Sequence, residues 1–246
     1  MNQNTWNKFL KIRKKFRLTV DELSESLPDL KTIQQKFADS RSEASYTVDT
    51  PVVYNTALDD ITIDDDIRLI LVADNPGRRE QAAQNRRYLT GPSGKIAKKF
   101  FTDNPALGID FLKNVIILNK TPIHSPRTVE LRELCKLDNN LVPALEKSQI
   151  DMASLLLEFQ EALVCPVWIT GYSEMRRNGI FEVYTKKLKE LYLQKNELYK
   201  LIFIYRHFSM NQFTIDLKQQ ASSGESAAKT LKRIGSVYRK RILDKC

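Results

Sequence analysis

Glycine is scarce in this chain: eight in 246 residues, against a typical share of about 7%. Each glycine cluster therefore stands out as a place where the backbone needs unusual freedom. Cysteine is scarcer still. Cys135, Cys165 and Cys246 lie far apart with no CxxC pair, which argues against a zinc ribbon or a metal cluster. An odd thiol count without a secretion signal fits reduced cysteines and a cytoplasmic location. The two histidines, His124 and His207, leave no room for an HExxH metal helix, and no GxSxG elbow occurs. No run reaches membrane length, and no apolar segment of signal-peptide type follows the basic N-terminus. No internal repeat is found. Acidic residues are outnumbered, 30 against 39 basic ones, giving a net charge of +9. That imbalance points to a polyanionic partner, with nucleic acid the leading choice.

What is present centres on residues 67–101. Ile67, Leu69, Ile70, Leu71, Val72 and Ala73 form an apolar, β-rich run too short for an ordinary helix. It predicts a strand buried on both faces of a parallel sheet. Asn75-Pro76-Gly77 ends it, because Pro76 cannot donate to a ladder. Gly91-Pro92-Ser93-Gly94 then opens a helical pattern. With Lys95 that segment looks like a phosphate-cradling P-loop, but Leu89 and Ile96 occupy positions where the motif needs Gly and Ser or Thr.

Residues 5–17 have helical spacing, and Thr19-Val20-Asp21-Glu22 resembles a capping box opening a second helix that Pro28 ends. A third short helix is expected over 30–38, and a linker over 39–50, where Ser40, Ser42 and Ser45 cluster. The expected organisation is a helical extension, residues 1–50, packed as a cap on an α/β domain, residues 51–246. Within that domain, 51–54 reads as a short edge strand. Further strands are predicted at 115–118, 166–170 and 201–205, and helices at 129–137, 152–163, 181–198 and 227–243. Alternation of this kind predicts a three-layer α/β/α fold with a central four-stranded, mainly parallel sheet. In a parallel sheet the strand ends Asp74-Asn75, Asn119 and His207 emerge on one edge, where open α/β folds hold their ligands. Gly77 and residues 91–94 are expected to floor that crevice.

These strand-end motifs together resemble the uracil-DNA glycosylase superfamily, over roughly residues 67–212. Ala73-Asp74-Asn75-Pro76-Gly77 is similar to its first motif, with Ala in place of the leading Gly. The strand ending in Asn119 is similar to the second, and His207-Phe208-Ser209 to the third, with Phe in place of Pro. Residues 86–94 resemble the Arg-Pro-Phe-Val-Gly-x-Ala-Gly loop of the iron–sulfur branch.

The resemblance implies an enzyme that flips a deaminated base out of DNA, duplex or single-stranded, and hydrolyses its N-glycosidic bond. His207 would donate to the departing base, an oxyanion-hole role. Asn119 would read the base edge through its amide. Tyr88, or Leu89 one position on, would stack on the base, with Gly77 beside it. Asn75 takes the water-orienting place, and Asp74 is a second candidate for general base. Gly91, Ser93, Gly94, Lys95 and Ser209 would meet phosphates, and the wedge would fall at Asn211 or Gln212. Phe208 in place of Pro is expected to free the loop after His207. Lys120-Thr121 stand where the iron–sulfur branch has a cluster cysteine, so no cluster, no other cofactor and no metal are expected. The protein is expected to act as a monomer with no membrane partner. The basic residues Lys229, Lys232, Arg233, Arg239, Lys240, Arg241 and Lys245 could widen a DNA footprint. A catalytically silent relative that only binds nucleic acid or a partner is the alternative.

Overall fold

The computed structural model of the protein describes residues 1–41 and 45–244. Ser42 of the expected linker, Lys245 and Cys246 lie outside the described residues. The chain forms α1 (Gln3–Glu25), α2 (Leu30–Asp39), β1 (Leu69–Ala73), α3 (Arg78–Gln81), α4 (Pro92–Asp103) and β2 (Val115–Asn119). Then come α5 (Glu130–Leu137), α6 (Leu141–Leu163), β3 (Val167–Thr170), α7 (Glu182–Tyr192), α8 (Asn196–Lys200) and β4 (Ile202–Tyr205). The last helices are α9 (Gln212–Gln220) and α10 (Ala227–Arg239).

All four strands are parallel, in the order β2-β1-β3-β4. The architecture is the expected α/β/α sandwich. The two inner strands, β1 and β3, are buried at every position, while the edge strand β2 leaves Val115 and Ile117 partly open. On one face Trp168 and Tyr205 pack with Phe101 of α4 and Phe213 of α9, ring centroids 5.1–5.9 Å apart. The central helix α6 packs against α7 and α1, and Phe9 of α1 meets Phe159 of α6 at 5.5 Å. One continuous apolar core thus runs from Phe9 to Leu243.

Several boundaries differ from the sequence reading, each for a local reason. Residues 5–17 and 19–25 belong to the single helix α1, because Thr19 Oγ1 donates back to the Lys15 carbonyl instead of capping a new start. The buried stripe Phe9, Ile12, Phe16, Val20 and Leu23 continues across that point. The described part of the expected linker is tied down. Val48 is buried, and the Gln81 side chain takes the N–H groups of Asp49 and Thr50 and donates to the Thr47 carbonyl. Residues 51–54 form no strand, only an isolated antiparallel bridge from Val52 to Ile123. Helix α6 starts at Leu141, with Pro143 in its first turn, where a missing N–H costs nothing. The helix expected over 181–198 is broken at 193–195 into α7 and α8, and α10 ends in a π-helical turn, Lys240–Asp244.

Arg239, counted among the surface basic residues, is buried instead. Its Nη1 donates to the carbonyls of Tyr199, Lys200 and Ile202 at 3.0, 3.0 and 3.1 Å, and its guanidinium lies 4.6 Å from the Tyr199 ring. One guanidinium nitrogen therefore joins the end of α8 to the start of β4. A lysine has a shorter reach to the three carbonyls and lacks the planar face that lies over the Tyr199 ring. Arg239→Lys is expected to lower stability by roughly 1.5–3 kcal/mol, the range for hydrogen bonds to a charged group, read as a shift in urea or thermal unfolding.

Candidate functional site

A cavity of about 830 Å³ opens at the carboxyl ends of the strands. It receives the loop after β1 (Asp74, Asn75, Gly77), the entry to α4 (Leu89, Gly91, Pro92, Ser93) and the loop after β2 (Ser125–Val129). Gly171 and Tyr172 follow β3 into it, and Arg206, His207, Ser209, Met210 and Gln212 follow β4. The volume falls within the ~300–1,000 Å³ of small-molecule clefts.

Asp74 and Lys120 form a buried ion pair at its base. Lys120 is fully buried, and its ammonium bonds one carboxylate oxygen of Asp74 and the Thr170 carbonyl at 2.5 Å. The other Asp74 oxygen accepts from Thr128 Oγ1 at 3.1 Å. Burial pushes the Lys120 ammonium below its ordinary pKa, and Asp74 acts against that shift. Gly171, at φ +80°, lets the chain pass this pair, since a Cβ there would sit 2.4 Å from Asp74 Oδ1.

Asn75 is oriented by its neighbours. Its Nδ2 donates to the Ser125 carbonyl at 3.1 Å and to Ser125 Oγ at 2.9 Å. The carbonyl can only accept, so Oδ1 is left as the free acceptor. His207 is fixed in the same way. Its Nδ1 accepts the Ser209 backbone N–H at 2.9 Å, so the neutral ring carries its proton on Nε2. Desolvation is the main force that lowers its pKa below the usual imidazole value, with Lys120 adding to it and Asp74 opposing. The ring is therefore neutral at pH 7 and a donor through Nε2.

His124 is a structural group. It is fully buried, and its Nδ1–H donates to the Pro76 carbonyl at 2.8 Å while Nε2 accepts from Tyr46 Oη at 2.8 Å. Burial brings its pKa to about 4. The ring holds the Pro76–Gly77 turn in place without carrying charge.

The expected residues do not all converge. Asn75, Asp74, His207, Gly77, Leu89, Gly91, Ser93, Ser209 and Gln212 line the cavity; Asn119, Tyr88, Gly94, Lys95 and Asn211 do not. Asn119 pairs in register with Ala73, a lining residue, so the two side chains share a face of the sheet. It is 1% exposed, and neither its Nδ2 nor its Oδ1 has a partner. Tyr88 is buried with its hydroxyl donating to the Val53 carbonyl, and Leu89, at φ +53°, takes the wall position. Gly94 is needed where it is because a Cβ would fall 1.4 Å from the Leu89 carbonyl oxygen. Phe208 anchors its loop instead of freeing it: the ring is buried and stacks on Phe213 at 4.3 Å.

Three lining groups escaped the sequence reading. Glu80 is a buried carboxyl whose pKa is raised to about 7, chiefly by desolvation. Met210 is 78% exposed at the rim with φ +50°. The loop after β2 contributes Arg127 and Val129. Only the apolar Met beside the His207 motif left a signal in the sequence; burial of Glu80 left none. Four arginines, Arg78, Arg79, Arg127 and Arg206, stand around the cavity with Glu80, Glu174 and Asp74.

Among the described residues no group of His, Cys, Asp or Glu could hold a metal ion, and no helix is long and apolar enough to cross a membrane. Comparison with protein-family models, with curated proteins and with solved structures finds no match.

Lys120→Met leaves the Asp74 carboxylate without its cation. The expected loss is about 3 kcal/mol, the low end of the ~3–5 for half of a buried pair, because Asp74 keeps 12% of its side chain exposed. Adding Asp74→Asn should restore most of that loss in chemical unfolding.

Proposed function

We propose that the protein is a monomeric, cofactor-independent DNA glycosylase of the cytoplasm. It would remove uracil or a related deaminated base flipped out of DNA into the cavity at the strand ends. The observation that carries this reading is the pairing, in one cavity, of a neutral His207 with its donor at Nε2 and an Asn75 with its acceptor at Oδ1. Hydrolysis of an N-glycosidic bond leaves negative charge on the base oxygen and positive charge on the sugar. The neutral Nε2–H stabilises the first by hydrogen bonding, without transferring its proton. The amide oxygen of Asn75 accepts a hydrogen bond from water and so aims it, but it cannot take up the proton at neutral pH. Both oxygens of Asp74 already have partners, so this carboxylate acts as a fixed negative charge toward the sugar cation. The C–N bond then breaks ahead of water attack, and the base leaves as an anion with the electron pair. Water adds to the sugar cation, and its proton neutralises the released base anion directly or through bulk water.

Asn119 supports the same reading. A sealed amide with no partner costs about 1–3 kcal/mol, and a planar base edge offering a donor and an acceptor would satisfy both of its atoms. Entry of the base must therefore open the wall between the cavity and Asn119. The arginines around the mouth suit phosphates flanking the flipped nucleotide. Ser93 and Ser209 lie in the same lining, and the exposed, apolar Met210 suits the gap left in the stack better than Asn211 or Gln212.

The silent-binder alternative draws on one observation: no carboxylate in the cavity is both free of partners and placed as a base. End-labelled duplexes carrying uracil, hypoxanthine or xanthine, treated with alkali after incubation, decide between the two. Nicking of at least one is expected. His207→Ala should slow it by ~10²–10³, and Asn119→Ala by a similar factor on the base it reads. Equal nicking by the His207 variant would overturn the catalytic reading, and tight binding without nicking by wild type would favour the alternative. Met210→Ala should weaken excision from duplex about tenfold, through loss of a wedge worth a few kcal/mol at most. It should leave single-stranded substrate almost unchanged, and an equal loss on both would remove Met210 from that role.

A further inference from the structure

Tyr172 lines the cavity as a half-buried ring for which base excision itself provides no task. Gly171, at φ +80°, turns the chain out of β3 and starts the 3₁₀ turn Tyr172–Met175 that carries it. The ring stacks on Tyr238 of α10, with centroids 4.7 Å apart and planes inclined by 29°. Arg176 lies over the Tyr172 ring at 4.9 Å, and Arg241 over the Tyr238 ring at 5.7 Å. Four flat groups, Arg176, Tyr172, Tyr238 and Arg241, thus follow one another from the cavity wall to the end of α10.

The stack is held at its centre and open at its ends. Tyr238 is buried, and its hydroxyl donates to Asp216 Oδ1 at 2.9 Å and accepts from Gln220 Nε2 at 2.7 Å. Arg206, another lining residue, brings its Nε to 3.5 Å from the same carboxylate oxygen. Arg176 and Arg241 are exposed, and among the described residues neither has a carboxylate or hydrogen-bond partner. Arg233, exposed on the same helix α10, is by contrast held by two bonds to Glu225.

We propose that this stack is a landing for single-stranded DNA. The unpaired bases next to the flipped nucleotide lie against the guanidiniums of Arg176 and Arg241 and the exposed part of Tyr172. A guanidinium is planar, so a base can cover the face turned away from the tyrosine ring while an N–H edge meets a phosphate. Stacking accepts every base, because each has a π-face, and so suits a protein that must bind whatever sequence surrounds its target. In a duplex the neighbouring bases are paired and stacked on one another, out of reach. The rings are fixed before binding, which lowers the cost of ordering them. The inference rests on the glycosylase reading only for the choice of DNA over RNA and for what fills the cavity.

A patch of positive charge would serve for phosphates alone, and the two cases differ in their chemistry. Phosphate contacts need the charge and not the plane, so a lysine replaces an arginine and duplex binds as well as single strand. Stacking needs the plane, which lysine lacks, and it needs bases on the strand.

The test is fluorescence anisotropy with labelled, undamaged oligonucleotides of about twelve nucleotides, within the ~4–16 of single-strand sites. Three probes are compared: a thymine strand, a strand of abasic spacers carrying the same phosphates, and a duplex. Wild type should bind the thymine strand about tenfold more tightly than the abasic strand, the worth of roughly one stacked base. Arg176→Ala and Arg241→Ala should each weaken binding of the thymine strand about fivefold, and of the other two probes about twofold or less. Arg176→Lys should lose most of that fivefold, whereas Tyr172→Phe, which keeps the ring, should lose none. Equal binding of thymine and abasic strands by wild type overturns the proposal, as does an Arg176→Lys variant that equals wild type. An equal loss on duplex, or no binding of any single strand, overturns it too. None of these measurements uses excision. Absence of nicking would sink the glycosylase reading and leave the stack to be decided by binding, while failure of the stack leaves excision from duplex untouched.

Discussion

The site depends on the buried pair Asp74–Lys120. Lys120 closes β2, and its backbone N–H donates to the carbonyls of Ala73 and Asp74 while its ammonium reaches Asp74 and the Thr170 carbonyl. Three adjacent strand ends, β2, β1 and β3, are thereby held by one side chain. The ammonium also lies 5.0 Å from the Phe181 ring, which covers it from below. Isolated burial of a lysine is costly, so the arrangement persists because the carboxylate, a carbonyl and an aromatic face act together. Its effect is specificity of position: the loops that leave those strands start from fixed points. A hydrophobic pair of equal volume could fill the space, but it could not orient the Asp74 charge toward the cavity.

The N-terminal helices take part in the same construction. Gln34 of α2 donates to the carbonyls of Pro51 and His124, and Tyr46 completes the hydrogen bonding of His124, whose other nitrogen holds the Pro76 carbonyl. Arg78 lies 5.1 Å from the Tyr46 ring, and Gln81 grips residues 47–50. The back of the loop after β1 is thus built from residues of the first fifty. Residues 1–50 do more than cover apolar surface on the sheet. They brace the turn that carries Asn75.

The sheet was legible because its signals are local and strong. Residues 69–73 are apolar, β-rich and bounded by Asp66 and Pro76, and they form a strand buried at every position. Asn75 and His207 were legible as strand ends, since parallel topology puts such ends on one edge whatever lies between them. The failures share a cause: burial depends on the whole packing. Nothing local tells Tyr88 from Leu89, yet Tyr88 is spent on the Val53 carbonyl and the wall falls to its neighbour. Nothing local makes Lys120 the partner of Asp74, 46 residues away in the chain. Thr19 looks like a cap because its type favours caps, but a helix already running with an unbroken apolar stripe absorbs it. Arg239 reads as one more surface cation until three carbonyls from a distant strand entry are found around it.

The scarcity of glycine sharpens one last point. Among the described residues, six other than glycine adopt positive φ, and four of them, Arg86, Leu89, Met210 and Asn211, belong to the two segments beside the cavity. Such conformations cost of order 1–3 kcal/mol each and survive only where neighbours over-determine them. For Leu89 that neighbour is Gly94, whose backbone comes up close against the Leu89 carbonyl. For Met210 they are the stacked Phe208 and Phe213 and the Ser209–His207 bond on either side. A glycine at either position would relieve the strain, but it would remove the apolar side chain from the wall or the rim. Strain retained together with an apolar side chain at a cavity mouth favours contact with a ligand over stability as the reason for these conformations. The two strained residues are also the two for which the stacking and wedge roles are proposed.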